Sequence, residues 1–313
     1  MTTPPQQDAG QTVDQAPVCP RHPDRVAYVR CQRCERPVCP ECQRPAPVGF
    51  QCVDCVREQA RTIRPVRTTF GGRAPATAVP VVTRTIVGLC VLVFALQWVA
   101  PETTSRFAFV PALAFSEPWR FLTSAFLHST SFLLHIVFNM YTLWMVGPYL
   151  EQLLGRLQFV VLYLLCAVGG SVGYYVLVSP YSDQWFTPAV GASGAVFGLF
   201  GAWFVVNRRL GRDTTAIVGL VVINGVIGFV FPSIAWQAHL GGLVTGLLIT
   251  AVFAYLPRDR APLRWAGLAA VAVLLLAVVA VRTQTLPEGS LVVQGLSTLW
   301  TGGVDNTGVI PQL

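Results

Sequence analysis

Seven apolar segments between residues 81 and 281 constrain the fold of this chain more than any other feature. A bilayer core is about 30 Å thick, and a helix needs about 20 predominantly apolar residues to cross it. Several segments are shorter than 20 residues. We still count them as spanning helices, because the polar residues that they carry would have no purpose in a soluble core of this composition. We therefore predict an all-α polytopic membrane protein with seven spanning helices. The segments lie at approximately 81–100, 132–147, 157–178, 189–206, 215–231, 234–256 and 265–281.

Composition and charge support the same class of protein. Hydrophobic residues make up 53% of the sequence and charged residues only 12%, against roughly 25% charged residues in soluble domains. The net charge of +7 would also suit nucleic acid, but many arginines flank apolar segments and so act as orientation signals. We therefore predict a lipid bilayer and no nucleic acid as partner. The expected location is the cell membrane, with a cytoplasmic N-terminus and an extracellular C-terminus.

Most of the nine cysteines lie near the N-terminus and, with one histidine, form four pairs whose members are separated by two residues. Each pair can present two side chains to one ion, so the four pairs complete two tetrahedral Zn²⁺ sites. A set of disulfides is the alternative, but the pairs precede a membrane anchor without an export signal, which favours metal. The predicted ligands are Cys19, His22, Cys31, Cys34, Cys39, Cys42, Cys52 and Cys55.

The order of these pairs resembles B-box and related cross-braced zinc modules. That resemblance implies that the first and third pairs share one ion and the second and fourth pairs the other. Sequential pairing is an alternative that the spacing leaves open. Four protein ligands leave no position for water, so the zinc is expected to be structural, and no cofactor is expected for catalysis. A segment this short should fold only with metal.

Shifts in composition predict how the chain is divided. An Arg- and Pro-rich linker separates the zinc-binding segment from the apolar region. The tail is rich in Gly, Thr and Pro and is expected to be loosely ordered. The predicted parts are a disordered N-terminus (1–16), the zinc-binding domain (17–58), the linker (59–80), a six-helix core (81–256), a seventh helix (257–282) and the tail (283–313).

A serine and a histidine lie inside two different apolar segments, where polar side chains are costly and usually mark a functional site. Ser193 is framed by Gly191 and Gly194, and His239 lies 46 residues after the serine. A serine with an available imidazole is the minimal machinery for acyl transfer. Phe197, one turn below Ser193, is expected to stack on the imidazole.

Small residues give these two segments a means of contact. Gly194 and Gly198 form one pair four residues apart, and Ala238, Gly242 and Gly246 form a longer series. Such spacing lets helix backbones approach closely in a membrane. Simple helix packing is the alternative reading of the glycines, but the serine and histidine favour a catalytic contact.

A third segment carries His135 and Asn139, which project from one face of a helix. The arginine pattern gives these three segments the same direction, so their polar residues are expected in one layer, about 8 Å below the outer edge. Donors in that layer can stabilise an oxyanion together with the backbone N–H of Ser193. The acids after residue 100 are expected outside the spans, so we predict a dyad without a carboxylate. They are Glu102, Glu117, Glu151, Asp183, Asp213, Asp259, Glu288 and Asp305.

These motifs together resemble the rhomboid intramembrane serine proteases over roughly residues 84–256. The residues that carry the resemblance are Trp119, Arg120, His135, Asn139, Gly191, Ser193, Gly194, Ala238, His239 and Gly242. The resemblance implies that Ser193 is the nucleophile and His239 the general base. It also implies that His135, Asn139 and the Ser193 amide form the oxyanion hole. Trp119 and Arg120 would be structural residues of the first external loop, and His128 in the same loop is also expected to be structural.

The resemblance further implies a serine endopeptidase that cuts single-span membrane proteins near the outer face of the membrane. The seventh helix fits a six-plus-one arrangement. The zinc segment lies outside the family pattern, although similar extensions occur on actinobacterial members, and it is expected to be an accessory module with an unknown cytoplasmic partner. A catalytically inactive relative that binds membrane proteins is the alternative. A zinc-dependent scaffold or transporter is disfavoured because it would need further ionisable residues deep in the spans.

Overall fold

The computed structural model describes residues 16–62, 66–74, 79–231, 234–257 and 259–287. Contacts divide the chain into two compact units, Met1–Pro65 and Val66–Leu313. The predicted disordered N-terminus (1–16) and tail (283–313) lie almost entirely outside the described residues.

The first unit consists of two small antiparallel hairpins followed by a helix. Its elements are β1 (Val18–Cys19) paired with β2 (His22–Val26), β3 (Gln43–Pro45) paired with β4 (Phe50–Cys52), and α1 (Val53–Thr62). Cysteines dominate its buried cluster, and Ala27 and Val38 are the buried aliphatic members. A core of this size cannot stabilise a fold by apolar burial alone, which agrees with the predicted dependence on metal.

The second unit is helical, and seven of its helices overlap the seven predicted apolar segments. The helices in chain order are α2 (Val81–Val99), α3 (Glu102–Phe107), α4 (Arg120–Thr123), α5 (Leu134–Leu154), α6 (Arg156–Leu177), α7 (Ser193–Arg209), α8 (Thr215–Val230), α9 (Trp236–Tyr255) and α10 (Ala261–Gln284). Within the described ranges, α2, α6, α9 and α10 are long and apolar enough to cross a membrane, and α8 is a shorter apolar helix. The predicted fold class, an all-α membrane protein with a small zinc-binding region, is confirmed.

Glycine contacts bring α7 and α9 together at the centre of the second unit. A Cβ atom added to Gly242 would lie 1.9 Å from the carbonyl oxygen of Gly194, and one added to Gly246 would lie 2.0 Å from that of Gly198. Helix α6 joins the same contact, because a Cβ on Gly170 would lie 3.0 Å from Gly194 Cα. The three backbones therefore touch without intervening side chains, as the spacing of small residues predicts.

Glu151 follows the predicted apolar segment, which ended at residue 147, but the helix there continues to Leu154. Glu151 lies in α5, and its side chain is buried. Its carboxylate accepts hydrogen bonds from the backbone N–H groups of Val82 (3.0 Å) and Thr83 (2.9 Å) and from the Thr83 hydroxyl (2.9 Å). The anion thus satisfies N–H groups in the first turn of α2 that have no partner within the helix, and it meets the positive end of the helix dipole. Its role is structural.

Part of the predicted linker packs against the helices of the second unit. Phe70 is 2% exposed and belongs to the main apolar cluster. Its backbone N–H donates to Leu153 (3.3 Å), and its carbonyl accepts from the guanidinium of Arg264, which also donates to Phe253 (2.9 Å). We call residues 66–74 the anchor segment, because they connect the C-terminal ends of α5 and α9 to the start of α10. Linker-like composition did not reveal it, since Phe70 is the only large apolar side chain buried in the segment.

Candidate active site

Ser193 is the first residue of α7. The predicted span began at residue 189, but Ala189 pairs with Phe109 in a short antiparallel bridge, and Gly191 has a φ of 131° that an L side chain rarely adopts. The helix therefore begins later than the apolar pattern suggests, after the bridge at Ala189 and the positive φ of Gly191. This start leaves the Ser193 N–H without an intrahelical carbonyl, at the positive end of the helix dipole.

His239 stacks on Phe197, as the sequence predicts. The two rings are parallel within 9°, and their centroids are 4.1 Å apart. Phe197 is one turn after Ser193 on α7, so the stack places the imidazole beside the helical turn that begins with the serine. His239 Nδ1 would be 3.5 Å from a Cβ on Gly228 of α8, and it is buried without a hydrogen-bond partner among the described residues. Nδ1 therefore faces α8, which leaves Nε2 as the ring nitrogen that can accept a proton from another group.

The imidazole of His135 and the hydroxyl of Ser193 both lie close to Gly191. A Cβ on Gly191 would be 2.7 Å from His135 Nε2 and 3.6 Å from Ser193 Oγ. The backbone N–H of Ser129 donates to His135 Nδ1 at 3.3 Å. Because Nδ1 accepts, the proton of the neutral ring belongs on Nε2, which faces the serine side. Sequence reasoning missed Ser129, since a backbone donor leaves no side-chain signature.

Asn139 is buried one turn further along α5. Its Nδ2 donates to the carbonyl oxygen of His135 at 2.8 Å. This bond uses one of the two amide N–H groups and leaves the other available. The structure therefore brings Ser193, His135, Asn139 and the Phe197 and His239 stack to the first two turns of α5, α7 and α9. Ser193, His135 and His239 are the first, second and fourth residues of α7, α5 and α9, and Asn139 is the sixth residue of α5.

The loop between α2 and α5 is held by Arg120, which is 4% exposed. Its guanidinium donates to the carbonyl oxygens of Ser105 and Ala108, both at 2.7 Å, and to the carboxylate of Glu117 at 2.6 Å. Trp119 is half exposed, and its indole N–H makes a long contact of 3.4 Å with the Arg106 carbonyl. Arg120 thus holds the backbone of the loop, while Trp119 adds one long contact.

His128 is fully buried in the same loop. Its ring centroid lies 5.4 Å from that of His135. Burial, with a smaller contribution from the neighbouring His135, lowers the pKa of His128 to about 3. The ring is therefore neutral at physiological pH. Its backbone carbonyl and N–H pair with the side chain of Gln97 in α2.

A cavity of about 40 Å³ lies directly beside Ser193. Since a water needs about 10–15 Å³ of such volume, the cavity has room for a few water molecules. The buried hydroxyls of Ser124 and Ser171, which are 3.4 Å apart, lie in its wall together with Tyr174. These polar groups could hydrogen-bond to water molecules in the cavity.

The eight predicted zinc ligands form two clusters in the first unit. The ligand atoms in each cluster lie within 4.8 Å of one another. The first cluster contains Cys19, His22, Cys39 and Cys42, and the second contains Cys31, Cys34, Cys52 and Cys55. The structure therefore favours the cross-braced pairing over the sequential one.

The donor chemistry of both clusters fits Zn²⁺. The sulfurs of Cys34 and Cys52 are 3.8 Å apart, which is about the 3.8 Å separation expected for two thiolates bound tetrahedrally at 2.3 Å. The N–H of Cys52 donates to the Cys31 sulfur at 3.2 Å. Burial raises the pKa of Cys31, but the N–H donors outweigh it and lower that pKa to about 6. Burial and neighbouring thiols raise the pKa of Cys55 to about 12. A divalent ion removes this conflict, because it stabilises all four thiolates together.

Comparison with known proteins identifies two regions of similarity. The family model of the rhomboid domain matches residues 116–256, and that of the B-box zinc finger matches residues 14–46. The rhomboid protease GluP of Bacillus subtilis is 37% identical over 144 residues, which cover 44% of this chain and 27% of the relative. The putative rhomboid protease YdcA of the same species is 33% identical over 143 residues, covering 44% of this chain and 68% of the relative.

A further relative is described by its name as inactive. The inactive RHOMBOID-like protein 8 of Arabidopsis thaliana is 33% identical over 152 residues, which cover 46% of this chain and 40% of the relative. The chain thus spans about a quarter of GluP and about two thirds of YdcA. Sequence identity at this level does not by itself separate active from inactive relatives.

Proposed function

Because the chain belongs to the rhomboid family, we propose that it is an intramembrane serine endopeptidase whose catalytic dyad is Ser193 and His239. The observation that carries the proposal is the stack of His239 on Phe197, at 4.1 Å and 9°, one turn from Ser193. Glycine contacts between α7 and α9 support it, since they allow the two helices to approach closely enough for a hydrogen bond between the side chains.

In the proposed reaction, Ser193 Oγ attacks the scissile carbonyl carbon, and its proton moves to His239 Nε2. The same histidine then protonates the leaving amine, and the acyl group remains on the serine. A water from the cavity beside Ser193 attacks this ester, gives its proton to His239, and releases the serine. Because no carboxylate orients the ring in this scheme, stacking on Phe197 takes over that task.

The oxyanion of the tetrahedral intermediate would be stabilised by the Ser193 N–H, His135 Nε2–H and the Asn139 amide. Two features support this assignment. Ser193 begins a helix and so has a free N–H, and His135 accepts on Nδ1 and therefore carries its proton on Nε2. Loss of one such donor costs about 10²–10³-fold in kcat in other serine proteases.

The proposed substrates are single-span membrane proteins, cut near the outer face of the cell membrane. A helical peptide bond hides its carbonyl in hydrogen bonds, so the substrate must unwind locally before attack. We propose a cytoplasmic N-terminus and an extracellular C-terminus from the arginine pattern. The zinc-binding unit would then lie in the cytoplasm as an accessory recognition or regulatory module, and its partner is a cytoplasmic protein.

The test is labelling of the full chain by a fluorophosphonate probe, together with cleavage of a single-span substrate in proteoliposomes. Wild type and Ser105→Ala, which changes an exposed hydroxyl outside the site, are expected to label and cleave alike. Ser193→Ala and His239→Ala are expected to do neither. If wild type labels no better than Ser193→Ala, the protease proposal is wrong, and a catalytically inactive module that binds membrane proteins becomes the better description.

A further inference from the structure

Gln97 is a buried amide near the C-terminal end of apolar helix α2, with 2% of its surface exposed. Its Nε2 donates to the carbonyl oxygen of His128 at 2.9 Å and to the hydroxyl of Thr104 at 2.9 Å. Its Oε1 accepts the backbone N–H of His128 at 3.0 Å. One side chain therefore pairs with both backbone groups of His128, as a neighbouring β-strand would.

The next peptide group connects this contact to the active site. The carbonyl of His128 and the N–H of Ser129 belong to one planar peptide unit, so the hydrogen bond from Gln97 fixes the direction of that N–H. The Ser129 N–H donates to His135 Nδ1 at 3.3 Å. Donation to the carbonyl also polarises the peptide unit and strengthens the hydrogen bond that its N–H makes.

This connection determines which nitrogen of His135 can act as a donor. With Nδ1 occupied as an acceptor, the neutral ring must carry its proton on Nε2, the atom that faces Gly191 and Ser193. If the His128–Ser129 peptide rotated, Nδ1 could take the proton, and Nε2 would become an acceptor that repels an oxyanion.

We propose that Gln97 is a positioning residue that holds His135 in the Nε2–H tautomer through the His128–Ser129 peptide. The catalytic meaning of this assignment rests on the proposed protease function. The tautomer itself does not, because it is a property of the resting protein. Gln97 differs from a purely structural buried amide in that its removal changes a specific proton position, in addition to stability.

The main variant is Gln97→Met, which has nearly the same shape and removes both hydrogen bonds to His128. Thr83→Val is the matched control for stability, since it removes a buried hydrogen bond from the other end of the same helix. Thr104→Val removes the second acceptor of Gln97 Nε2 and leaves both bonds to His128. Gln97→Glu keeps the acceptor for the His128 N–H and, once the buried acid is ionised at high pH, loses the donor to its carbonyl.

The readout is the ¹⁵N spectrum of the full chain labelled at histidine. The sequence contains only four histidines, so His135→Gln identifies the resonances of His135. In wild type, Thr83→Val and Thr104→Val, Nδ1 of His135 is expected to resonate as an unprotonated nitrogen. In Gln97→Met, that resonance is expected to broaden or move toward the position of a protonated nitrogen. Gln97→Glu should show the same change at high pH, and it provides the measurement if Gln97→Met does not fold.

Kinetics provide the second readout. Gln97→Met is expected to lower kcat about tenfold with little change in KM, less than the 10²–10³-fold loss for removing an oxyanion donor, because the donor is misplaced and not deleted. Thr83→Val is expected to keep kcat within about twofold. Unchanged His135 resonances in both Gln97 variants would overturn the proposal, whatever happens to kcat. If wild type itself does not cleave, the protease proposal fails, and the spectrum still decides the role of Gln97.

Discussion

The contact between α7 and α9 is tight enough that a single methyl group should move Ser193 and His239 apart. In Gly242→Ala, the new Cβ would lie 1.9 Å from the Gly194 carbonyl oxygen and 2.6 Å from its carbonyl carbon, whereas real Cβ contacts are essentially never under 3.0 Å. Both atoms belong to the backbone, so no side chain can move aside. The helices must therefore separate by about 1 Å, at a cost of about 1–3 kcal/mol for overpacking.

This separation should affect activity more than stability. A misplacement of about 1 Å costs about 10²-fold in rate when reacting groups must be aligned. The expected fall in Tm is about 2–12 °C for a unit of this size. The assays are cleavage of a single-span substrate in proteoliposomes and thermal unfolding of the same preparation.

Gly88→Ala is the matched control, because a Cβ at that position on α2 meets nothing within 4 Å. It should retain full activity and gain up to about 1 kcal/mol from the higher helix propensity of alanine. If Gly242→Ala cleaves at more than half of the wild-type rate, close approach of α7 and α9 does not set the catalytic geometry.

Three further predictions concern the zinc clusters, the anchor segment and the loop histidine. Elemental analysis of the full chain should find about two zinc ions, and Cys42→Ser and Cys55→Ser should each lose about one; loss of both ions from either variant would contradict separate sites. Phe70→Ala should lower the free energy of unfolding by about 3–5 kcal/mol, while Val66→Ala, at an exposed position of the same segment, should change thermal stability little; equal effects would contradict the buried role of Phe70. Burial lowers the pKa of His128 to about 3, so below the unfolded value of about 6.5 the unfolded chain binds a proton that the folded chain does not. Stability should therefore fall as pH drops from about 6.5 toward 3, by up to about 1.4 kcal/mol per pH unit, and thermal unfolding of His128→Leu should show a shallower pH dependence.

The sequence predicted contacts that depend on spacing along one helix. Phe197 and Ser193 are one turn apart, and the glycines of α7 and α9 repeat at intervals of four, so local geometry determines which faces they share. Spacing alone could not predict which pairs of zinc ligands share an ion. Each pair has the same internal spacing, and only the path of the chain between the pairs decides which of them meet. A B-box-like order favoured the cross-braced arrangement, and the structure agrees with it.

Other features could not be predicted because they depend on contacts between distant segments. Glu151 has the sequence context of a loop acid, yet it is buried because the free N–H groups of α2 come within hydrogen-bond distance. The start of α7 at Ser193 depends on the pairing of Ala189 with Phe109, which an apolar pattern cannot reveal. The orientation of His135 depends on a backbone N–H, and every residue except proline carries one.

The anchor segment also has a consequence for the order in which the protein is made. The carbonyl of Phe70 and the guanidinium of Arg264 that binds it are 194 residues apart in the chain. At typical rates of translation, about 5–20 residues per second, the ribosome delivers that arginine about 10–40 s after the phenylalanine. Until then, Phe70 lacks part of its final surroundings, although α2 and the zinc-binding unit have already been synthesised. Completion of the anchor therefore coincides with synthesis of α10, and a nascent chain truncated before α10 would lack the guanidinium that binds the Phe70 carbonyl.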